Sequence, residues 1–175
     1  MAKHKTRADV PAKAGGPYLA AALLCERIIQ DSDQTLSLIR IVDNVKFTVP
    51  PDAPPDVPSE KNPIFLEQNL FLMFRTGDAP GSHRLKLEVQ LPEGRRVVAV
   101  DKDIVFTSEP HGGAHVKTLA KVGIAKAGLL WFDVFLDGKR QTRVPLNIEV
   151  ERAKPPADAP KVDESTKPTK KTKRT

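Results

Sequence analysis

The chain has 175 residues, 39% of them apolar, which suits a single domain with one hydrophobic core. Its net charge is +6, but residues 14–150 sum to −1, so the central part lacks the basic surplus of a nucleic-acid-binding domain. One cysteine excludes an intramolecular disulfide, and no apolar run reaches the ~20 residues of a membrane span.

Composition divides the chain into three parts. Residues 1–16 and 151–175 are rich in lysine, proline, alanine and small polar side chains. Such segments bury too little apolar surface to offset the entropy lost on ordering. We therefore expect a disordered N-terminal arm, one folded domain over residues 17–150, and a disordered C-terminal tail.

The apolar run Tyr18–Cys25 follows basic residues and resembles the core of an export signal. It is short, and Leu24 is not the small residue that precedes a lipoprotein cysteine. The chain then continues as the amphipathic segment 26–29 rather than as a processed junction. The sequence predicts a cytoplasmic protein without membrane association.

Two strands are predicted at the start of the domain, over residues 18–30 and 35–49, with a short polar turn between them. The alanine-rich first segment also suits a helix, but its isoleucine- and valine-rich partner favours a hairpin. Both faces of the second segment are mostly apolar, which predicts a strand covered on both sides. The proline-rich segment 50–58 predicts a stiff surface crossover between two sheets, with a proline-motif ligand as the alternative.

Further strands are predicted between segments rich in glycine and proline. They cover residues 64–75, 84–91, 95–101, 104–107 and 116–124. In the second of these the alternation is complete, because Leu85, Leu87 and Val89 share one face and polar side chains share the other.

The clearest pattern is a hairpin between Leu129 and Val150, in which each arm has one apolar face. The apolar positions are Leu130, Phe132, Val134 and Leu136 on the first arm and Val144, Leu146, Ile148 and Val150 on the second. Asp137-Gly138 between the arms tolerates the positive φ of a tight turn. Together with the earlier strands, this hairpin predicts an all-β antiparallel sandwich, Ig-like or a related Greek key.

A resemblance to a known family is carried by three segments: GPYLAAALLCERIIQDSDQTLSLIRIVDNV, FRTGDAPGSHRLKLEVQLPEG and LLWFDVFLDGKRQTRVPLNIEV. They are similar to a bacterial family of single-domain β-sandwich proteins of unknown function, over most of residues 17–150. The resemblance implies a sandwich fold in a bacterial cytoplasm. It implies no catalytic residues, because the shared motifs are turn and core patterns.

No group of residues predicts catalysis, a metal site or a cofactor. Cys25 lies in an apolar run without a nearby base, which favours a core residue over a nucleophile. His111 and His115 flank a Gly-Gly pair that opposes the helical turn a shared metal would need. Asp101 and Asp103 are two positions apart, so on a strand their carboxylates would share one face. The lysine between them and the lack of an evident apolar, concave setting indicate a solvated turn rather than a catalytic carboxylate pair. The sequence therefore predicts a protein that is not an enzyme.

Leu129, Trp131 and Phe135 fall on the parity opposite to the core positions of their strand. If that side faces solvent, three large apolar side chains lie together, which is typical of an interaction surface. The alternatives are a strand covered on both faces, or shielding by the proline-rich segment. On the first reading the chain is a protein–protein interaction or assembly module with an unidentified partner, and an unpaired sheet edge leaves a homo-oligomer open.

A second hypothesis concerns the C-terminal tail, which has five basic side chains within eight residues. They are Lys167, Lys170, Lys171, Lys173 and Arg174. Such a cluster attracts nucleic acid in a salt-sensitive way that does not depend on base sequence. No aromatic residue accompanies the cluster for base stacking, and a solubilising tail accounts for the same composition.

Overall fold

The computed structural model describes residues 15–33, 35–107 and 113–154. Nine strands form in this part of the chain. They are β1 (Tyr18–Gln30), β2 (Leu36–Ile41), β3 (Asn44–Val49), β4 (Ile64–Arg75), β5 (Gly81–Gln90), β6 (Arg96–Phe106), β7 (Gly113–Ile124), β8 (Gly128–Leu136) and β9 (Lys139–Arg152). The described ranges contain no helix that could span a lipid bilayer.

The nine strands lie in two sheets that enclose one core. The four-stranded sheet has the order β2-β1-β4-β7, and the five-stranded sheet has the order β3-β9-β8-β5-β6. Their inner faces bury the positions that alternate along each strand, among them Leu70 and Phe74 of β4, Leu87 of β5 and Phe132 of β8. The all-β sandwich of Ig-like class that the alternation predicts is confirmed.

The predicted hairpin is also confirmed, and its turn is anchored to β5. Asp137 and Gly138 have φ values of +50° and +76°, the left-handed pair that this turn requires. The Asp137 carboxylate accepts hydrogen bonds from the Arg84 backbone N–H (2.8 Å) and from Nδ1 of His83 (2.6 Å). The bond from His83 is the main cause that lowers the pKa of Asp137.

Three features of the strand prediction are wrong. The segment 35–49 is not one strand but two, because the chain leaves β2 in one sheet and enters β3 in the other. Nor is β2 covered on both sides: it is an edge strand with Ile39 and Ile41 exposed. Finally, 95–101 and 104–107 belong to the single strand β6, so Asp101 and Asp103 lie on a strand and not in a turn.

The end of the β1–β2 hairpin bends over the outer face of the four-stranded sheet. Arg40 in β2 has a φ of +49°, although the register is the same on its two sides, since Cys25 pairs with Ile41 and Arg27 with Ile39. At the end of β1, Nζ of Lys117 on β7 donates to Oε1 of Gln30 (2.5 Å).

Strand register shows how strong this bend is. Leu23 pairs with Phe71, which in turn pairs with Lys117. On a straight strand Gln30 would lie roughly 23 Å beyond Leu23, at 3.3 Å per residue. Because Lys117 nevertheless reaches Gln30, the hairpin must turn back across the sheet. Phe71 points outward from the sheet but is only 6% exposed, which is consistent with cover from this hairpin.

The proline-rich segment crosses from β3 to β4, and therefore between the two sheets, as predicted. β3 runs parallel to β9 at the sheet edge, a pairing that alternation alone does not reveal. Arg152, at the end of β9, donates to backbone carbonyl oxygens of the segment, with its shortest bond to Ala53 (2.6 Å). Its other acceptors are the carbonyls of Pro50, Pro51 and Pro54.

We expect the substitution Arg152→Ala to loosen this crossover without unfolding the sandwich. Loss of these exposed, charge-assisted bonds is expected to lower local stability by roughly 1 kcal/mol, about fivefold in exchange rate. Hydrogen exchange of the Ala53 and Val57 amides, which close the turns of the segment, measures the effect. Lys154→Ala is the control, and unchanged exchange in Arg152→Ala would show that the arginine does not hold the segment.

Candidate protein-binding surface

Leu129, Trp131 and Phe135 lie on the side of β8 that faces away from the core. β8 is the central strand of its sheet, and Trp131 lies between Gln90 of β5 and Pro145 of β9. Leu129 is 42% exposed, whereas Trp131 and Phe135 are half-buried by neighbours on the same sheet.

Two alternatives to an exposed side of β8 were a strand covered on both faces and shielding by the proline-rich segment. This arrangement supports neither of them. The described residues form two sheets, and the outer side of β8 does not face the other one. The proline-rich segment is tied to Arg152, seven residues beyond Pro145 along β9. The three apolar side chains are therefore partly accessible, each bordered by polar neighbours.

A charged group lies between Trp131 and Phe135 on the same side of β8. The Asp133 side chain is only 1% exposed, although it points away from the core. Arg143, its register partner on β9, donates from Nε to Oδ1 (2.7 Å) and from Nη2 to Oδ2 (2.9 Å). Such a two-pronged pair fixes the plane of the guanidinium as well as its position.

Arg143 also connects Asp133 to its other neighbours. Its Nη2 donates to Oε1 of Gln90 on β5 (3.0 Å), and its guanidinium carbon lies 5.0 Å from the Trp131 ring centroid. This distance is within the range of a cation–π interaction. One arginine therefore contacts both the buried carboxylate and the indole ring.

The charge state of Asp133 follows from these contacts. The hydrogen bond from Arg143 is the largest cause that holds the pKa of Asp133 below its usual range, against the desolvation that raises it. The positive charges of Arg143, Arg140 and Arg96 act in the same direction. Because these interactions outweigh the desolvation, the pKa of the buried Asp133 carboxyl is lowered and the group is ionised at neutral pH.

We call this region the Trp131 surface. It comprises Leu129, Trp131, Asp133 and Phe135 of β8, Lys86, Glu88 and Gln90 of β5, Arg96 of β6, and Arg140 and Arg143 of β9. A shallow cavity of about 320 Å³ opens beside Phe135, and Arg84, Lys86, Glu88, Asp101 and Gly138 complete its lining.

Acidic side chains lie at both margins of the same sheet face. On one side Arg84 donates to Asp101 (2.6 Å) and Asp103 (3.2 Å). These carboxylates share a strand face, as their spacing predicts, and both are solvent-exposed ion-pair partners. On the other side Lys46 of β3 pairs with Glu151 of β9.

Other residues considered from the sequence lie elsewhere. Cys25 is fully buried, as predicted, and burial raises the pKa of its thiol, which opposes a nucleophilic role. His115 is exposed, with its ring 5.8 Å from that of Phe71. His111 and the basic cluster of the tail lie outside the described residues. Within the described ranges no three His, Cys, Asp or Glu side chains gather as metal ligands.

The sequence patterns missed the polar half of the Trp131 surface. Asp133 has the outward parity of Trp131, which was a usable sign, but its partner was hidden by a β-bulge. Counting back from the turn pairs Asp133 with Thr142, whereas a register shift between Val134 and Phe135 makes Arg143 the partner.

The two stacked sheets, one of four strands and one of five, define an Ig-like β-sandwich protein. Residues 20–149 match the model of a protein family described as a family of unknown function, DUF6941. The chain belongs to this family, which confirms the predicted membership in a β-domain family without assigned function. No curated protein matches the chain.

Two solved structures show a weak similarity to the chain. One is an immunoglobulin-like protein from Pseudomonas aeruginosa, with 14% identity over 78% of this chain and 95% of that one, at a TM-score of 0.30. The other is the alkylpurine DNA glycosylase AlkC of Pseudomonas fluorescens, bound to DNA containing an abasic site analog. It has 12% identity over 48% of this chain, at a TM-score of 0.35. The matched region spans only 26% of the glycosylase, and neither similarity bears on function.

Proposed function

We propose that this chain is a non-enzymatic protein-binding module and that it binds its partner through the Trp131 surface. The observation that carries the proposal is the row of Leu129, Trp131 and Phe135 along the outward side of a central strand. Outward positions of a solvated sheet face are usually polar, so large apolar residues at three of them need a reason.

The properties of these residues support binding rather than folding. Tryptophan and arginine are the residue types most enriched among the strong contributors to protein interfaces, and both occur at the centre of this surface. The Arg143 guanidinium already packs over the indole ring. A side chain ordered before binding loses less conformational entropy when a partner packs on it.

The proposal predicts that Trp131→Glu abolishes capture of a specific partner while the sandwich stays folded. A charge at this site removes the central apolar contact and must be desolvated by any partner. The measurement is affinity capture from a lysate of the source organism, with and without nuclease treatment, and thermal unfolding of each variant is followed alongside.

Phe65→Glu provides the matched control, because Phe65 is a 62% exposed aromatic residue on the outer face of the other sheet. A partner retained by the native protein and by Phe65→Glu, but lost by Trp131→Glu, supports the proposal. Equal retention by both variants contradicts it. Capture that disappears with nuclease, or with removal of residues 155–175, would instead favour the basic tail and nucleic acid. Unfolding of Trp131→Glu would identify Trp131 as a core residue.

A further inference from the structure

Charges on the Trp131 surface are layered: the acidic side chains are largely buried, and the basic side chains reach solvent over them. The side chains of Asp133 and Glu88 are only 1% and 16% exposed, whereas those of Arg140 and Arg96 are 56% and 54% exposed. Lys86 and Arg143 also reach solvent. Four bases and two acids already leave a surplus of positive charge, and this layering increases the positive charge that a partner meets.

The exposed arginines are loosely held and free to rebind. Arg140 approaches Asp133 at 3.7 Å and Arg96 approaches Glu88 at 3.6 Å, both beyond hydrogen-bond distance. Arg143 keeps its two short bonds to Asp133. Arg140 can therefore turn toward a new carboxylate without leaving the buried one uncovered, which avoids the large penalty of an unpaired buried charge.

We propose that the partner presents an acidic protein segment to this surface, with an aromatic or aliphatic side chain packed beside Trp131 and carboxylates paired with Arg140 and Arg96. This inference rests on the proposed function and specifies the chemistry of its partner. Register places Arg96 in the row of Trp131, one strand beyond Gln90, and places Arg140 beside Phe135. The two arginines are three strand spacings of ~4.8 Å apart across the sheet and four residues of ~3.3 Å apart along it, so an extended segment of about six residues spans both.

Two observations favour an acidic protein segment over nucleic acid. The Arg143 guanidinium occupies one face of the indole, which restricts the stacking on which single-stranded nucleic acid relies. In addition, a long polyanion would meet Asp101 and Asp103 at one margin of the face and Glu149 and Glu151 toward the other. A short segment that ends within the basic centre avoids both margins.

The test uses a random 12-residue peptide library displayed on phage and selected against the full chain. Selected peptides without tryptophan are synthesised and titrated, and fluorescence of Trp131, the only tryptophan of the chain, reports binding at this surface. We expect an excess of Asp and Glu next to an apolar residue. We also expect the double substitution Arg96→Glu and Arg140→Glu to weaken binding at least tenfold, with affinity that falls as salt rises.

Matched variants separate the possible outcomes. The control carries Arg27→Glu and Lys102→Glu, two exposed charges away from this surface, and should bind as the native chain does. Every variant keeps the same basic tails, so peptides held by the tails do not distinguish the variants. Peptides that depend on Trp131 but show no acidic excess, or no loss with the double reversal, overturn the acidic partner and leave the proposed function standing.

Two further results would each contradict one of the two proposals. A library that yields no peptide dependent on Trp131 contradicts the proposed function itself. A (dT)12 oligonucleotide that displaces the selected peptide, and loses affinity with the same two reversals, would assign the surface to phosphate and overturn the acidic protein segment.

Discussion

Phe132→Ala is expected to lower the free energy of unfolding by about 3–5 kcal/mol, the range for removal of a fully buried phenylalanine. Phe132 is 0% exposed and belongs to the core cluster between the two sheets. The loss combines the transfer free energy of the ring with the cavity that remains, because a close-packed interior relaxes only in part. Chemical denaturation followed by circular dichroism measures the difference.

Phe135→Ala is the matched control, because it removes the same side chain three residues later on the same strand. Phe135 lies on the outward side and is half-buried among charged and polar neighbours. Its loss is expected to cost about 1–1.5 kcal/mol, since less apolar area returns to water and no closed cavity forms. Equal losses at the two positions would contradict the assignment of Phe132 to the core side of β8 and of Phe135 to its outward side. They would also contradict the location of the Trp131 surface.

The second large effect concerns the buried ion pair. Arg143→Ala is expected to cost about 2–3 kcal/mol near neutral pH, because it leaves the Asp133 carboxylate covered and without its main hydrogen-bond donor. The value lies below the 3–5 kcal/mol of a fully buried pair. Arg143 is 31% exposed, so water partly replaces it.

This loss should depend on pH in a defined direction. Because the pKa of Asp133 is lowered in the folded protein, its contribution to stability is complete above the unfolded value of about 3.9. The contribution disappears as pH falls through the lower folded value. Without Arg143 the carboxylate loses its main stabilising partner. The difference between native and Arg143→Ala proteins should therefore be full at pH 6–7 and shrink below about pH 4.

Arg140→Ala serves as the control for the ion pair. It removes an arginine that faces the same carboxylate at 3.7 Å and is more than half exposed. An exposed, distant pair of this kind contributes at most a few tenths of a kcal/mol. Denaturant unfolding at pH 7 and pH 3 distinguishes the two arginines. A loss in Arg143→Ala that does not change with pH would show that lost packing, rather than the charge of Asp133, accounts for it.

Sequence alternation was sufficient wherever a strand has one buried face. Leu85, Leu87 and Val89 on β5 and the inward positions of β8 are buried as their parity predicts. The turn at Asp137-Gly138 was equally readable, because few residues tolerate the left-handed backbone that both positions adopt. These features are local, and each depends only on side chains within a few positions of one another.

Sequence prediction failed where the pairing of distant strands, rather than the local pattern, decides how far a side chain is buried. The apolar faces of β2 suggested burial on both sides, but the strand lies at a sheet edge, next to β1 alone. The parallel pairing of β3 with β9 joins residues about 100 positions apart, beyond the reach of periodicity. At the candidate site, parity correctly separated Trp131 and Phe135 from the core positions, yet it did not show that they are only half-buried.

The sequence by itself determined the sandwich class, the inward faces of its central strands and the outward position of Leu129, Trp131 and Phe135. It did so because a strand exposes alternate side chains whatever its partners are. Only the tertiary structure decided which charges surround those residues. Asp133 meets Arg143 through a bulge that shifts the register by one, and Arg96 reaches the same surface from a strand two positions away in the sheet. Contacts of this kind depend on register and strand order, which long-range packing sets.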